Sequence, residues 1–258
     1  MTDRVGLTFS DLPNGARLAH IRLTAPRANA LEPGLLADLH AALDQCADAQ
    51  AVLLSGGRNF STGGDVAAFL AAAKRGEAQA YAMQVVPPLQ ELVLRLVSMP
   101  ALVAVAARGA ITGGSAGLLF AADLAVVAPD VFIQPYYARM GFAPDGGWAA
   151  LLPELIGIAS ARSWLNADQR VMAPALPATG LAADLSDTPE DHAIALLGDL
   201  DIGTRLAAKA VIWDAPRRAL LEQRLAAETR AFVARITRPD VAARMERFVR
   251  PAPSAPDV

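Results

Sequence analysis

Three short stretches of the chain combine residue types that can do chemistry. Phe60-Ser61-Thr62-Gly63-Gly64-Asp65 and Gly109-Ala110-Ile111-Thr112-Gly113-Gly114-Ser115 are glycine loops. Each follows an apolar run that reads as a buried strand and precedes a helical one. At such a junction the first N–H groups of the helix have no partner inside it, and glycine lets a ligand approach the backbone. Two N–H groups converging from separate loops would make an oxyanion hole, and the dipole of the helix after Gly114 favours negative charge there. The alternative is that the glycines only let helices pack closely on strands. The third stretch is Phe142-Ala143-Pro144-Asp145-Gly146-Gly147-Trp148. Pro-Asp-Gly is turn material, because Pro presets φ and Asp bonds its own backbone. Asp145 is therefore either a turn residue or a carboxylate presented to a site.

The elements that must position these residues are legible in outline. Val5–Phe9 and Ala16–Leu23 flank Pro13-Asn14-Gly15, a hairpin signal. A helix is expected from Pro33 to about Asp48, and Val52–Ser55 reads as a short apolar strand closed by Gly56-Gly57. Another helix should begin near Asp65. Gln79–Val97 is helical in period but carries Pro87-Pro88, which predicts a break or kink. Ala101–Ala106, Leu124–Val127 and Val131–Gln134 read as strands. From Trp148 onward nearly everything reads as helix, ending in the amphipathic runs Leu206–Trp213, Ala219–Ile236 and Val241–Phe248. Short strands each followed by a helix suggest an α/β fold of repeated ββα turns. The expected division is a core over 1–198, a helical oligomerisation region over 199–250 and a Pro-rich disordered tail over 251–258.

Bulk properties narrow the function. The chain has 258 residues, is 53% hydrophobic and carries a net charge of -3, which suits a large buried core and gives no reason to expect nucleic acid or a membrane surface as partner. Cys46 is the one cysteine, so no intramolecular disulfide can form and a reducing compartment, the cytoplasm, is expected. It falls in a helical apolar run and reads as a core residue. The first residues carry no apolar signal-peptide core. His20, His40 and His192 are far apart, with His40 and His192 expected to be exposed, so no metal site and no local Ser-His-Asp signature is found. The absence of GxGxxG after a strand and of a P-loop argues against a dinucleotide or nucleotide cofactor.

Taken together, FSTGGD, Pro100–Gly117, Ala121-Ala122-Asp123-Leu124, Phe132–Gly141, Leu152-Pro153-Glu154-Leu155-Ile156-Gly157 and the early Asn29-Ala30-Leu31 resemble the crotonase, or enoyl-CoA hydratase/isomerase, superfamily. The resemblance covers about residues 15–250. It implies a crotonase-like spiral of ββα repeats, a helical C-terminal trimerisation region, a trimer or a hexamer of two trimers, and an acyl-CoA thioester as substrate, with no separate cofactor. On the matching positions it implies that the amides of Gly64 and Gly114 hold the thioester oxygen, with Gly63 and Gly113 beside them. The backbone around Ala28 and Ala30 would contact the adenine and pantetheine parts of CoA. Asp65 and Asp123 fit positions that bond backbone groups near the loops.

The two glutamates of the hydratase pattern fall on Gly117 and Tyr136, so both are absent. Water activation and proton delivery cannot come from groups that are not there. The segment Tyr137–Gly147 looks most like the single-acid isomerase branches, the phenylacetate-pathway ring isomerases and the Δ3,Δ2-enoyl-CoA isomerases. That resemblance makes Asp145 a general acid/base that takes a proton from one carbon and returns it two carbons away. Its pKa would have to be raised by an apolar pocket, from Phe142, Trp148 and the Leu118-Leu119 side of the helix. Tyr136 and Tyr137 would shape the acyl site, and Arg139 would be exposed or paired. Arg27 and Lys209 are the cations that could meet a CoA phosphate. Other readings stay open: a hydratase of atypical site, a branch that uses the Asp as a nucleophile, and an inactive CoA-binding or scaffold homologue.

Overall fold

The computed structural model describes residues 4–250, so the expected tail over 251–258 lies outside the described residues. The chain opens with an antiparallel hairpin, β1 (Val5–Asp11) and β2 (Arg17–Leu23), with Val5 opposite Leu23. Its turn is tightened by Asn14, whose side-chain oxygen accepts from the Ala16 amide. After α1 (Pro26–Asn29), in which Arg27 and Ala28 take left-handed backbone angles, comes α2 (Pro33–Asp44). Strand β3 (Ala51–Ser55) is wholly buried and pairs parallel with β2. Two helices follow, α3 (Val66–Lys74) and α4 (Ala78–Ser98).

The next turns repeat the plan. β4 (Leu102–Ala107), β5 (Ala110–Thr112) and α5 (Ala116–Phe120) make one. β6 (Leu124–Val127), β7 (Phe132–Gln134) and α6 (Tyr137–Met140) make another. The first strand of each turn joins a six-stranded sheet in the order β1-β2-β3-β4-β6-β9, closed by β9 (Asp184–Leu185), and the second joins a smaller sheet, β5-β7-β8, with β8 at Val171–Met172. Single bridges from Ser61 to Ile111 and from Leu31 to Gly64 continue that smaller layer backward along the chain. This is the expected spiral of ββα turns.

The remainder is α7 (Leu152–Ile156), α8 (Ile158–Ala167), β8 (Val171–Met172), β9 (Asp184–Leu185), α9 (Pro189–Asp199), α10 (Ile202–Ile212), α11 (Ala215–Ile236) and α12 (Pro239–Val249). The all-helical reading of this part missed β8 and β9. Both are two residues long, too short for a period to show, and they form because β7 and β6 offer them free edges. Among the described residues no helix is long and apolar enough to cross a membrane.

Helix α4 corrects the break expected at Pro87-Pro88: it runs uninterrupted through both. Each proline costs a helix interior about 3 kcal/mol. Burial of Val85, Val86, Leu89, Leu92, Val93 and Leu96 offsets that, at roughly 1.5–3 kcal/mol for each large apolar side chain. The Pro88 carbonyl also accepts a bond from His40 Nε2 at 3.0 Å. His40 and His192 are half-buried rather than exposed, and His192 pairs with Asp184. Cys46 is buried, and burial pushes its thiol pKa up, as suits a core residue.

Candidate active site

The two glycine loops lie side by side because they occupy adjacent positions of the smaller layer. Phe60 N donates to Arg108 O at 2.8 Å, Ser61 N to Ala110 O at 3.1 Å, and Thr112 N back to Ser61 O at 3.2 Å. The buried Ser115 hydroxyl, shared between Thr112 O and Ser61 O, joins the two loops again. A third segment is tied in by Leu31 N to Gly63 O at 2.8 Å and by Ser61 Oγ to Asn29 O at 2.7 Å. The Gly114 amide belongs to a 3-10 turn over Gly113–Ser115 that leads into α5. Gly64 directly precedes Asp65, the N-cap of α3, whose carboxylate accepts from Ala68 N. Gly114 therefore stands where a helix begins and its N–H lacks a helical partner, while Gly64 stands one residue before the α3 cap.

These loops line a cavity of about 390 Å³. Of the sequence-predicted residues it brings together Ala30, Gly63, Gly64, Asp65, Gly113, Gly114, Tyr136, Tyr137 and Asp145. Two lie outside its lining. Ala28, with left-handed backbone angles, lies on a separate cavity with Arg22 and Arg58. Trp148 is fully buried behind the site, where its Nε1 donates to Gly113 O at 2.7 Å and its ring meets Phe120, Tyr137 and Trp164 edge-on. It supports the loop and does not line the cavity. The Leu118-Leu119 side is likewise absent from the wall. The apolar surface there comes from the expected Phe142 together with Val85, Leu89, Phe69 and Phe232.

Asp145 does reach the cavity, and its side chain is buried. A Cβ placed on Gly114 would lie 2.8 Å from Asp145 Oδ1, so the carboxyl sits directly against that glycine. The Tyr137 hydroxyl donates to Asp145 Oδ1 at 2.5 Å and also lies 3.0 Å from Asp145 O. Burial pushes the carboxyl up to about 6, with the tyrosine bond pulling the other way. Burial, then the neighbouring carboxylate, keeps the Tyr137 hydroxyl protonated well above its usual range. The missing glutamate at position 117 has a structural reason. A Cβ there would overlap the Gly146 carbonyl oxygen, so the Asp145 turn occupies the space a side chain at 117 would need. Tyr136 is held at the cavity wall by its amide on Asp168 Oδ1 and by Arg170 on its hydroxyl.

The cations are arranged differently from expectation. Arg27 reaches the cavity but pairs with Glu32 at 2.7 Å and Asp65 at 2.8 Å. Lys209 is not a phosphate-binding candidate: it is buried, with Nζ on Asp123 Oδ2 at 2.6 Å and on the carbonyls of Leu96 and Ala101. Asp123 also accepts from Val103 N, the backbone role expected for it. Arg139 is paired, with Asp168.

Sequence reasoning missed Glu228. This buried carboxylate of α11 accepts from the amides of Gly147, Ala149 and Ala150, just past Asp145. A signal was present. Leu221, Leu225, Glu228, Phe232 and Ile236 fall on one helical stripe, and an acid on a buried stripe needs partners. Phe232, within the region expected to oligomerise, packs on Phe69 and Phe142 of the same chain.

Comparison with known proteins fits this architecture. A probable enoyl-CoA hydratase of Rhodobacter capsulatus is 32% identical over 56% of this chain and 55% of its own length. A probable enoyl-CoA hydratase of Bacillus subtilis is 27% identical over 60% of each chain, so the match spans a little over half of both relatives. Cyclohexa-1,5-dienecarbonyl-CoA hydratase of Thauera aromatica is 29% identical over 71% of this chain and 69% of its own. The crystal structure of an enoyl-CoA hydratase from Bacillus halodurans superposes with a TM-score of 0.84 at 19% identity, covering 95% of this chain and 99% of that one. The enoyl-CoA hydratase/isomerase family profile matches residues 14–251, and the chain belongs to that family.

Proposed function

We propose that this chain is an enoyl-CoA isomerase that moves a double bond by proton transfer next to a thioester. The observation that carries the reading is the placement of Asp145. Of the two carboxylates lining the cavity among the described residues, Asp65 is committed to capping α3 and to Arg27, and Asp145 stands against Gly114. An isomerase needs one acid/base, whereas the hydratase pattern needs two carboxylates.

In this mechanism the Gly64 and Gly114 amides hold the thioester oxygen. Asp145 removes a proton from C2 of a 3-enoyl thioester, and the electron pair moves onto the oxygen as an enolate. The enolate collapses to a C2–C3 double bond as the former C3–C4 pair takes the same proton from Asp145 at C4. One oxyanion-hole donor contributes roughly 3–4 kcal/mol to such a step. A carboxyl near 6 is ionised at neutral pH and still basic enough to share the proton. Five of the chain's eight phenylalanines, Phe69, Phe132, Phe142, Phe232 and Phe248, line the cavity, which suits a bulky apolar acyl group. The backbone near Ala30 would take the pantetheine arm, and the enzyme would work in the cytoplasm. Val211, Ile212 and Leu220, exposed on α10 and α11, would make the contacts of a trimer or hexamer.

A second reading is a hydratase that uses Asp145 with water. It is favoured by the names of the similar proteins. One assay separates the two: purified protein with 3-enoyl-CoA and 2-enoyl-CoA thioesters, followed for gain or loss of conjugated-thioester absorbance. Conversion of the 3-enoyl to the 2-enoyl thioester supports the isomerase. Formation of a 3-hydroxyacyl thioester from the 2-enoyl substrate, with no double-bond shift, sinks it.

A further inference from the structure

The turn amides just past Asp145 draw their side-chain partner from a distant part of the chain. Asp145 is followed by Gly146 and Gly147, which offer no side chains to pack. On one side Gly146 lies against the backbone of Gly114 and Gly117. On the other side, among the described residues, the side chain bonding the turn amides is Glu228, from helix α11 more than seventy residues later. Its Oε1 accepts from Ala149 N at 2.6 Å and Ala150 N at 2.9 Å. Its Oε2 accepts from Gly147 N at 2.9 Å and from Gln90 Nε2 at 3.3 Å. Gln90 is oriented for this by Thr229, whose hydroxyl donates to the other end of its amide at 2.5 Å.

All four partners are N–H donors, and a carboxylate is acceptor-only. Only the ionised form satisfies all four. A proton on either oxygen would face an N–H group, and a bond to the turn would be lost. We infer that Glu228 is a positioning residue for Asp145: its carboxylate clamps the 147–150 backbone and thereby sets the Asp145 carboxyl against Gly114. The inference rests on the reading of Asp145 as the acid/base. Glu228 touches no cavity surface, so it acts through the turn and does not contact substrate. Burial raises its pKa to about 7, and the Asp145 charge adds to this. The titratable groups that face it are Asp145 and Tyr137, while Gln90 of α4 and Thr229 of its own helix are neutral.

The test compares wild type, Glu228→Gln and Asp145→Asn by pH-dependent kinetics on a 3-enoyl-CoA thioester and by residue-resolved amide hydrogen exchange, with circular dichroism checking the fold. If both carboxylates must be ionised, log(kcat/KM) of wild type falls into acid with a slope approaching two. Glu228→Gln then gives a slope of one, a kcat at pH 8 lower by on the order of 10–100-fold, as expected for a small misplacement, and faster exchange at Gly147, Ala149 and Ala150. A slope of one in wild type that Glu228→Gln leaves unchanged, or unaltered exchange at those amides, overturns the inference. Full activity in Asp145→Asn would instead sink the acid/base reading. The exchange comparison still reports whether Glu228 holds the turn.

Discussion

Tyr137 Oη stands 2.5 Å from Asp145 Oδ1, and the tyrosine is itself buried against Trp148. The bond stabilises the ionised carboxyl and opposes the upward push of burial. Removing it in Tyr137→Phe should raise the Asp145 pKa further. The acid limb of kcat/KM should therefore move to higher pH, while the fold is retained. A limb that stays in place or moves to lower pH would show that the hydroxyl does not tune this group.

Asp145→Asn keeps the shape of the turn and removes the base. Double-bond movement should fall by at least about two orders of magnitude, within the usual range for a general acid/base. CoA-thioester affinity, measured by calorimetry, should change little. Wild-type turnover in the variant would place the base elsewhere.

Installing the hydratase-pattern acid as Gly117→Glu should fail to create a hydratase. The new side chain meets the Gly146 carbonyl, and overpacking of this kind typically costs 1–3 kcal/mol or more. A lowered melting temperature with no gain in water addition is expected. A stable variant that hydrates 2-enoyl thioesters would contradict the geometry.

Stability should fall as pH rises through the range 4 to 7. Asp145 and Glu228 titrate near 6 and 7 when folded, against 3.8 and 4.5 as reference values. The folded chain therefore binds more protons than the unfolded chain in that window. Their destabilising effect is absent below the reference values and complete above the folded ones. Each carboxyl contributes on the order of 3 kcal/mol. Urea midpoints at pH 5 and pH 8 measure this, and Glu228→Gln should shrink the difference.

Lys209→Met should destabilise strongly, because it strands the Asp123 carboxylate in a largely buried site. Breaking one side of a buried pair costs about 3–5 kcal/mol. Chemical denaturation is the measurement, and a loss below about 1 kcal/mol would mean that Asp123 finds another partner or simply protonates.

What the sequence made legible was local. The Pro13-Asn14-Gly15 turn, the Asp65 cap and the glycine loops are encoded by neighbours in the chain, and they lie where the spacing put them. The turn chemistry around Asp145 is local too, but only the resemblance singled it out as the acid; the turn lies on the cavity. What escaped was non-local. Trp148 looked like a pocket residue because an aromatic next to the Asp145 turn fits a wall equally well, and only tertiary packing puts it behind the loop. Lys209 looked free to meet a phosphate because its partner Asp123 is far away in sequence. The prolines of α4 were read by intrinsic propensity, which the burial of a whole helix face overrode.

The pairing of Ser61 with Ile111 gives the fold a division of labour. The two glycine amides come from successive turns of the spiral, and strand register fixes their separation. The acid arrives on a different segment, docked from the far end of the chain by α11. On the proposed reading, thioester grip and proton transfer are therefore carried by separate parts of the fold. Moving the acid, or exchanging it for another reacting group, would then leave the grip on the thioester oxygen unchanged.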